Sequence, residues 1–203
     1  MNDSTADRDA RHTTRMQRRK AVVDSRIAAA TTVRGVLVVN TGNGKGKSSA
    51  AFGVLARALG HGQRAAVVQF VKGCSDTGEE GFFRTHPAVE WHVMGDGFTW
   101  ETQDRAADIA SAEAAWTTSC ALLADPSLDL VILDELCIAL KMGYLDTARV
   151  VADLRARTPS QHVIATGRGA PAALIDAADT VSVIEARKHA FQSGIQAMPG
   201  LEY

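Results

Sequence analysis

The sequence predicts an α/β protein: a mostly parallel central sheet with helices on both faces, preceded by a helical extension. Three observations carry this. Short apolar runs at residues 36–39, 64–71, 128–133 and 161–166 alternate with alanine-rich helical stretches. The runs are apolar at nearly every position, as strands buried on both faces require. Glycine-rich or polar clusters separate runs from helices, which is where crossover connections turn.

At 203 residues the chain is long enough for one domain with a substantial core. The expected organisation is a basic helical extension over 1–33 and an α/β domain over 34–203. Residues 1–32 lack Gly and Pro and carry Arg8, Arg11, Arg15, Arg18, Arg19 and Lys20. Met16, Val22, Val23 and Ile27 give a sparse apolar set, which predicts an amphipathic helix over about 12–30. Arg11, Arg15 and Arg18 share one face of it and read as a solvated face. The net charge of −1 gives no global field toward nucleic acid or an anionic membrane. No apolar run approaches the about 18–20 residues of a membrane span, and none near the start resembles a signal peptide. Cys74, Cys120 and Cys137 lack metal-ligand spacing and read as free thiols in a reducing, cytoplasmic setting.

Residues 35–49, GVLVVNTGNGKGKSS, set the chemistry. A buried strand ends near Asn40-Thr41, glycines follow at 42, 44 and 46, and Ser48-Ser49 open a helix over about 50–59. This is the setting of a P-loop. A loop that wraps a polyphosphate points backbone N–H groups inward and leaves no room for side chains, hence the glycines. The helix N-terminus adds donors and a positive dipole end. The phosphate-binding residues are then Thr41, Gly42, Asn43, Gly44, Lys45, Gly46, Lys47, Ser48 and Ser49. Lys47 reaches the phosphates as a cation, and Ser48 offers its hydroxyl to Mg²⁺. Position 41 is Thr where the general pattern has Gly.

Further along, Gly60-His61-Gly62 stops the first helix. A second strand spans 64–71, a surface loop 72–84 and a third, alternating strand 89–94. Residues 95–103, GDGFTWETQ, form a glycine-flanked loop bearing Phe98 and Trp100. A helix over 104–124 leads to the apolar run 128–133, which ends in Asp134-Glu135. Behind a P-loop, that is a Walker B pattern, in which one carboxylate holds Mg²⁺. A helix over 145–157 follows, then a strand ending in Gly167-Arg168-Gly169, a short helix from Pro171 and a last strand over 180–185. Thr41, Asp134 and Arg168 all fall at the carboxyl ends of strands, where open parallel sheets bind ligands. Residues 186–203 have little periodicity but hold Arg187, Lys188, His189 and Phe191. His61 and His162 read as structural.

From these residues alone the reading is an NTP- and Mg²⁺-using α/β protein of P-loop NTPase (RecA-like) type. A hydrolytic or kinase-type ATPase fits the P-loop, with Glu135 orienting water. So does a non-catalytic nucleotide-binding module, with RNA contacts through the basic segment. Against both, most strongly through Phe98 and Trp100 in GFTWETQ, stands the ordered set TGNGKGKSSAAFG, VVQFVKG, GFTWETQ, VILDEL, TGRG, DTVS and KHAF. From about residue 12 to the end, the chain resembles the P-loop type of ATP:corrinoid adenosyltransferase, the cob(I)yrinic acid a,c-diamide adenosyltransferases of vitamin B12 synthesis. The family usually has Thr at the position of Ser48, and both side chains carry the hydroxyl.

The resemblance implies transfer of the 5′-deoxyadenosyl group of ATP to Co(I) of a corrinoid, with triphosphate released. Cob(I)alamin, cobinamide and cobyrinic acid a,c-diamide are the implied acceptors, and Mg²⁺ or Mn²⁺ the implied metal. ATP lies in the P-loop in a reversed sense, leaving C5′ open. Lys47 and Glu135 are implied catalytic residues, with Ser48, Asp134 and Glu135 at the metal and Arg168 among the ATP contacts. Phe98 and Trp100 are implied to contact the corrinoid and displace its lower axial ligand. The resemblance further implies a cytoplasmic homodimer, an amino-terminal helix that covers the active site, and a reduced flavoprotein as electron donor. Neither membrane nor nucleic acid is an expected partner.

Overall fold

The structure, a computed structural model, describes residues 5–71, 77–94 and 104–201. The chain divides into two compact units, Met1–Val33 and Arg34–Tyr203. In the first, α1 (Thr5–Ala29) is a helix of 25 residues. It begins about two turns before the expected start. Nothing in 5–11 breaks a helix, and Asp7 lies in the first turn, where a carboxylate complements the dipole. Met16, Val22, Val23 and Ile27 are exposed.

The second unit is built on one sheet. Its strands are β1 (Leu37–Thr41), β2 (Ala65–Gln69), β3 (Val89–Val93), β4 (Leu130–Asp134), β5 (His162–Thr166) and β6 (Thr180–Val183). Their order is β3-β2-β4-β5-β1-β6, and every pair is parallel. Helices α2 (Lys47–Gly60), α3 (Gly78–Phe83), α4 (Arg105–Ala124), α5 (Leu136–Lys141), α6 (Thr147–Ala156) and α7 (Ala172–Ala177) occupy the connections. This is the predicted α/β architecture, and it fits a P-loop NTPase fold.

The strand pleat explains the continuous apolar runs. Along β4, Val131 and Leu133 pack with Trp116 of α4 and Val150 and Leu154 of α6. Leu130 and Ile132 point the other way, onto Phe52 and Leu55 of α2. Among the described residues, no helix is long and apolar enough to cross a membrane.

β1 ends at Thr41, where the sequence places its end: Asn40 pairs with both β5 and β6, and Thr41 with β6. Three expectations need correction. Residues 77–83 are not a surface loop. Thr77 caps α3 by accepting the Glu80 amide at 3.3 Å, and Glu80 and Phe83 are buried. The Thr-x-x-Glu spacing that signals such a cap is present in the sequence. Helix α5, directly after Glu135, was not anticipated. The last strand ends at Val183, and all four residues of this edge strand are exposed.

Candidate active site

The glycine loop between β1 and α2 is shaped by close backbone approach. Gly42 has φ 99°, and a Cβ there would come within 2.4 Å of the Ile184 carbonyl oxygen. Gly44 donates its amide to that oxygen at 2.7 Å, and a Cβ would meet the Glu185 carbonyl at the same distance. Gly46, at φ 111°, starts α2 without any side-chain cap. The first-turn amides are therefore left for a ligand. Lys47 is buried and donates Nζ to the Gly44 carbonyl oxygen at 2.7 Å. Desolvation lowers its pKa, against the opposing pull of Glu135.

The carboxylates come from β4. Glu135 follows it in the left-handed region, φ 61°, the one non-glycine residue with positive φ among the described residues. Its amide donates to Thr166 Oγ1 at 3.0 Å, and that hydroxyl donates to Asp134 Oδ1 at 2.7 Å. The other oxygen of Asp134 accepts from Gln69 Nε2 at 3.4 Å, and Gln69 Oε1 accepts from the Trp91 indole at 3.1 Å. Protein donors thus hold both oxygens of Asp134. Glu135 Oε2 is buried with no hydrogen-bond partner. Burial first, then the charge of Asp134, pushes the Glu135 carboxyl up to about 7. Gly167, at φ 129°, leaves the room it needs, since a Cβ there would lie 2.9 Å from Oε2.

Loop and carboxylates share a cleft of about 820 Å³ at the carboxyl ends of the strands. Asn43, Gly44, Lys45, Gly46, Lys47, Ser48 and Ser49 line it, as do Asp134, Glu135 and Arg168. Thr41 and Gly42 are not among its lining residues. Thr41 is buried, with Oγ1 accepting the Ala170 amide at 3.2 Å. An orphaned buried carboxylate oxygen beside a lysine and a serine hydroxyl fits a divalent cation bound with a polyphosphate.

Comparison with known proteins agrees with this geometry. The family model described as "ATP:corrinoid adenosyltransferase BtuR/CobO/CobP" matches residues 33–203. A second, "Cob(I)alamin adenosyltransferase N terminal", matches residues 1–27. The chain is 60% identical to the "Corrinoid adenosyltransferase" of Pseudomonas aeruginosa, over 100% of both chains. It is 48% identical to "Corrinoid adenosyltransferase CobA" of Salmonella typhimurium, over 96% of this chain and 99% of that one. The Escherichia coli K12 relative is 46% identical over the same shares.

The chain belongs to the ATP:corrinoid adenosyltransferase family.

It is accordingly a transferase, and the family's chemistry is ATP-dependent adenosylation of corrinoids in cobalamin biosynthesis. Phe98 and Trp100, which the resemblance assigns to the corrinoid, lie outside the described residues. His189 lines the cleft, whereas His162 accepts the Val36 amide at 3.2 Å. Sequence reasoning gave no role to Gln69, Thr166 or Gly167, although VVQFVKG and TGRG contain them. Nor did it place the Ile184–Glu185 backbone against the glycine loop of this adenosyltransferase.

Proposed function

We propose that the chain transfers the 5′-deoxyadenosyl group of ATP to the Co(I) centre of a reduced corrinoid and releases triphosphate. The observation that carries this reading is a glycine loop with a buried lysine, facing a carboxylate that has an unpartnered oxygen. Such a site binds and stabilises a polyphosphate leaving group. The cobalt lone pair attacks C5′, the Co–C bond forms and the C5′–O bond breaks with its electrons going to triphosphate. Cobalt supplies the nucleophile, so none is asked of the protein. The thiol next to Glu135, Cys137, is buried and pushed up to about 12, hence protonated at neutral pH.

Lys47, Arg168 and the amides that open α2 hold the triphosphate and the charge that develops on it. Ser48 and Glu135 would hold Mg²⁺ or Mn²⁺ directly, with Asp134 fixed behind them by Thr166 and Gln69. When bound, the metal supplies further positive charge to the leaving group. Phe98 and Trp100 pack on the corrinoid face and remove its lower ligand, easing reduction of Co(II) to Co(I) by a reduced flavoprotein. Residues 34–203 form the catalytic domain and 1–33 a basic helical extension. The working protein is a cytoplasmic homodimer that accepts cob(I)alamin, cobinamide or cobyrinic acid a,c-diamide.

The test is incubation with ATP, Mg²⁺ and chemically reduced cobalamin. The expected outcome is the light-sensitive alkyl–cobalt spectrum with triphosphate as co-product. ADP and phosphate without that spectrum would overturn the reading.

A further inference from the structure

The cleft is polar where the glycine loop and Glu135 line it, and aromatic where α3 closes it. Phe82 lines that end with 72% of its surface exposed. A large apolar side chain open to a ligand cleft is informative in a way that scattered surface residues are not. The ring is also firmly supported. Phe83 lies edge-on behind it, ring centroids 5.1 Å apart at 82°, and is itself stacked on Trp91 at 6.5 Å and 6°. Phe52 of α2 completes the layer, 5.4 Å from Trp91. The Thr77 cap and an ion pair between Glu80 and Arg84 at 2.9 Å hold the short helix that presents it.

The strand order supplies the distance. From β1, which carries the glycine loop, to β2, which leads into α3, there are three strand spacings. That is about 14 Å, within the reach of a triphosphate with its ribose. A nucleotide whose phosphates lie on the glycine loop, and which runs past Glu135 toward the β2 end, brings its base to Phe82. We propose that Phe82 is the stacking platform for the adenine base of ATP. This rests on the phosphate reading above. Among the described residues, the other exposed apolar residue at the cleft is Leu201, 75% exposed. It offers no flat face, and a purine stacks best on a supported ring.

The test is calorimetric titration of ATP and of inorganic tripolyphosphate, each with Mg²⁺, into the wild type, Phe82→Ala, Phe82→Trp and Leu201→Ala. Phe82→Ala should weaken ATP about tenfold while leaving tripolyphosphate within about twofold. Phe82→Trp should restore ATP affinity, and Leu201→Ala should leave it unchanged. Melting temperatures should not move, because the ring is exposed. Unchanged ATP affinity in Phe82→Ala, equal losses for both ligands, or a loss confined to Leu201→Ala would overturn the proposal. Tripolyphosphate failing to bind the wild type would overturn the phosphate reading and this inference with it.

Discussion

At the amino ends of β1 and β5, charged and polar side chains tie neighbouring segments together. Arg34 donates two hydrogen bonds to Asp179, at 2.8 and 2.5 Å, and Asp179 also accepts the Leu37 amide at 2.8 Å. Arg157 donates to the carbonyls of Leu154, Gly35 and Gln161. Gln161 Nε2 reaches the Leu122 carbonyl, and its own Oε1 is the one orphan there. At the carboxyl ends the balance reverses. Lys47 is buried against its preferred charge state, Glu135 sits in the left-handed region, and its Oε2 has no partner. One end spends its polar groups on the fold; the other keeps them for a ligand, at a local cost in strain and desolvation. Substitutions at the two ends should therefore separate activity from stability.

The largest effect expected is on activity. Lys47→Ala should lower turnover by at least about a hundredfold, the scale of losing one stabiliser of developing charge. Its melting temperature should stay near wild type. A steady-state assay beside thermal unfolding checks both, and a large loss of stability would break the division between the two ends.

Gly35→Ala probes the opposite end. A Cβ there would lie 2.0 Å from the Gln161 carbonyl oxygen, so backbone must move. Overpacking against backbone should cost about 2–3 kcal/mol in a denaturant titration. The fraction that remains folded should keep wild-type turnover.

Asp179→Asn gives the smallest effect, and its pH dependence sharpens the contrast. The hydrogen bonds from Arg34, then the Leu37 amide, hold the Asp179 carboxyl well below the usual carboxylate range. A depressed folded-state pKa stabilises the protein above the unfolded value, and that share disappears as pH falls through the folded one. The variant should melt about 2–4 °C lower at pH 7. The gap to wild type should narrow below about pH 4, where the unfolded carboxyl begins to protonate. A gap independent of pH would remove the ion pair from the explanation.

Much of this was legible locally. The strand, glycines and Lys47-Ser48 are contiguous, and so are the apolar run and Asp134-Glu135, so periodicity and turn chemistry reveal them. What stayed hidden depends on pairing between distant segments. Gln69, Asp134 and Thr166 meet only because β2, β4 and β5 are neighbours, and no local pattern gives that order. The left-handed backbone at Glu135 was equally silent, since glutamate does not announce such a conformation. α3 was missed for another reason: six residues with two glycines give little helical period, and the Thr77 cap was the only signal.

The cradle's wall has a consequence for how the protein is made. Gly42 and Gly44 rest on the backbone of Ile184 and Glu185, and β1 takes its register from Val163–Thr166 and Thr180–Val183. The ribosome delivers β1 well before either of its partners. Until the final strand emerges, β1 lacks one neighbour and the glycine loop lacks its wall. Closing such long-range pairings is the slow part of folding, and the unpaired apolar strand is what a chaperone would meet meanwhile. Nucleotide binding is thus a property that a growing chain acquires only once β6 and the Ile184–Glu185 backbone have been made.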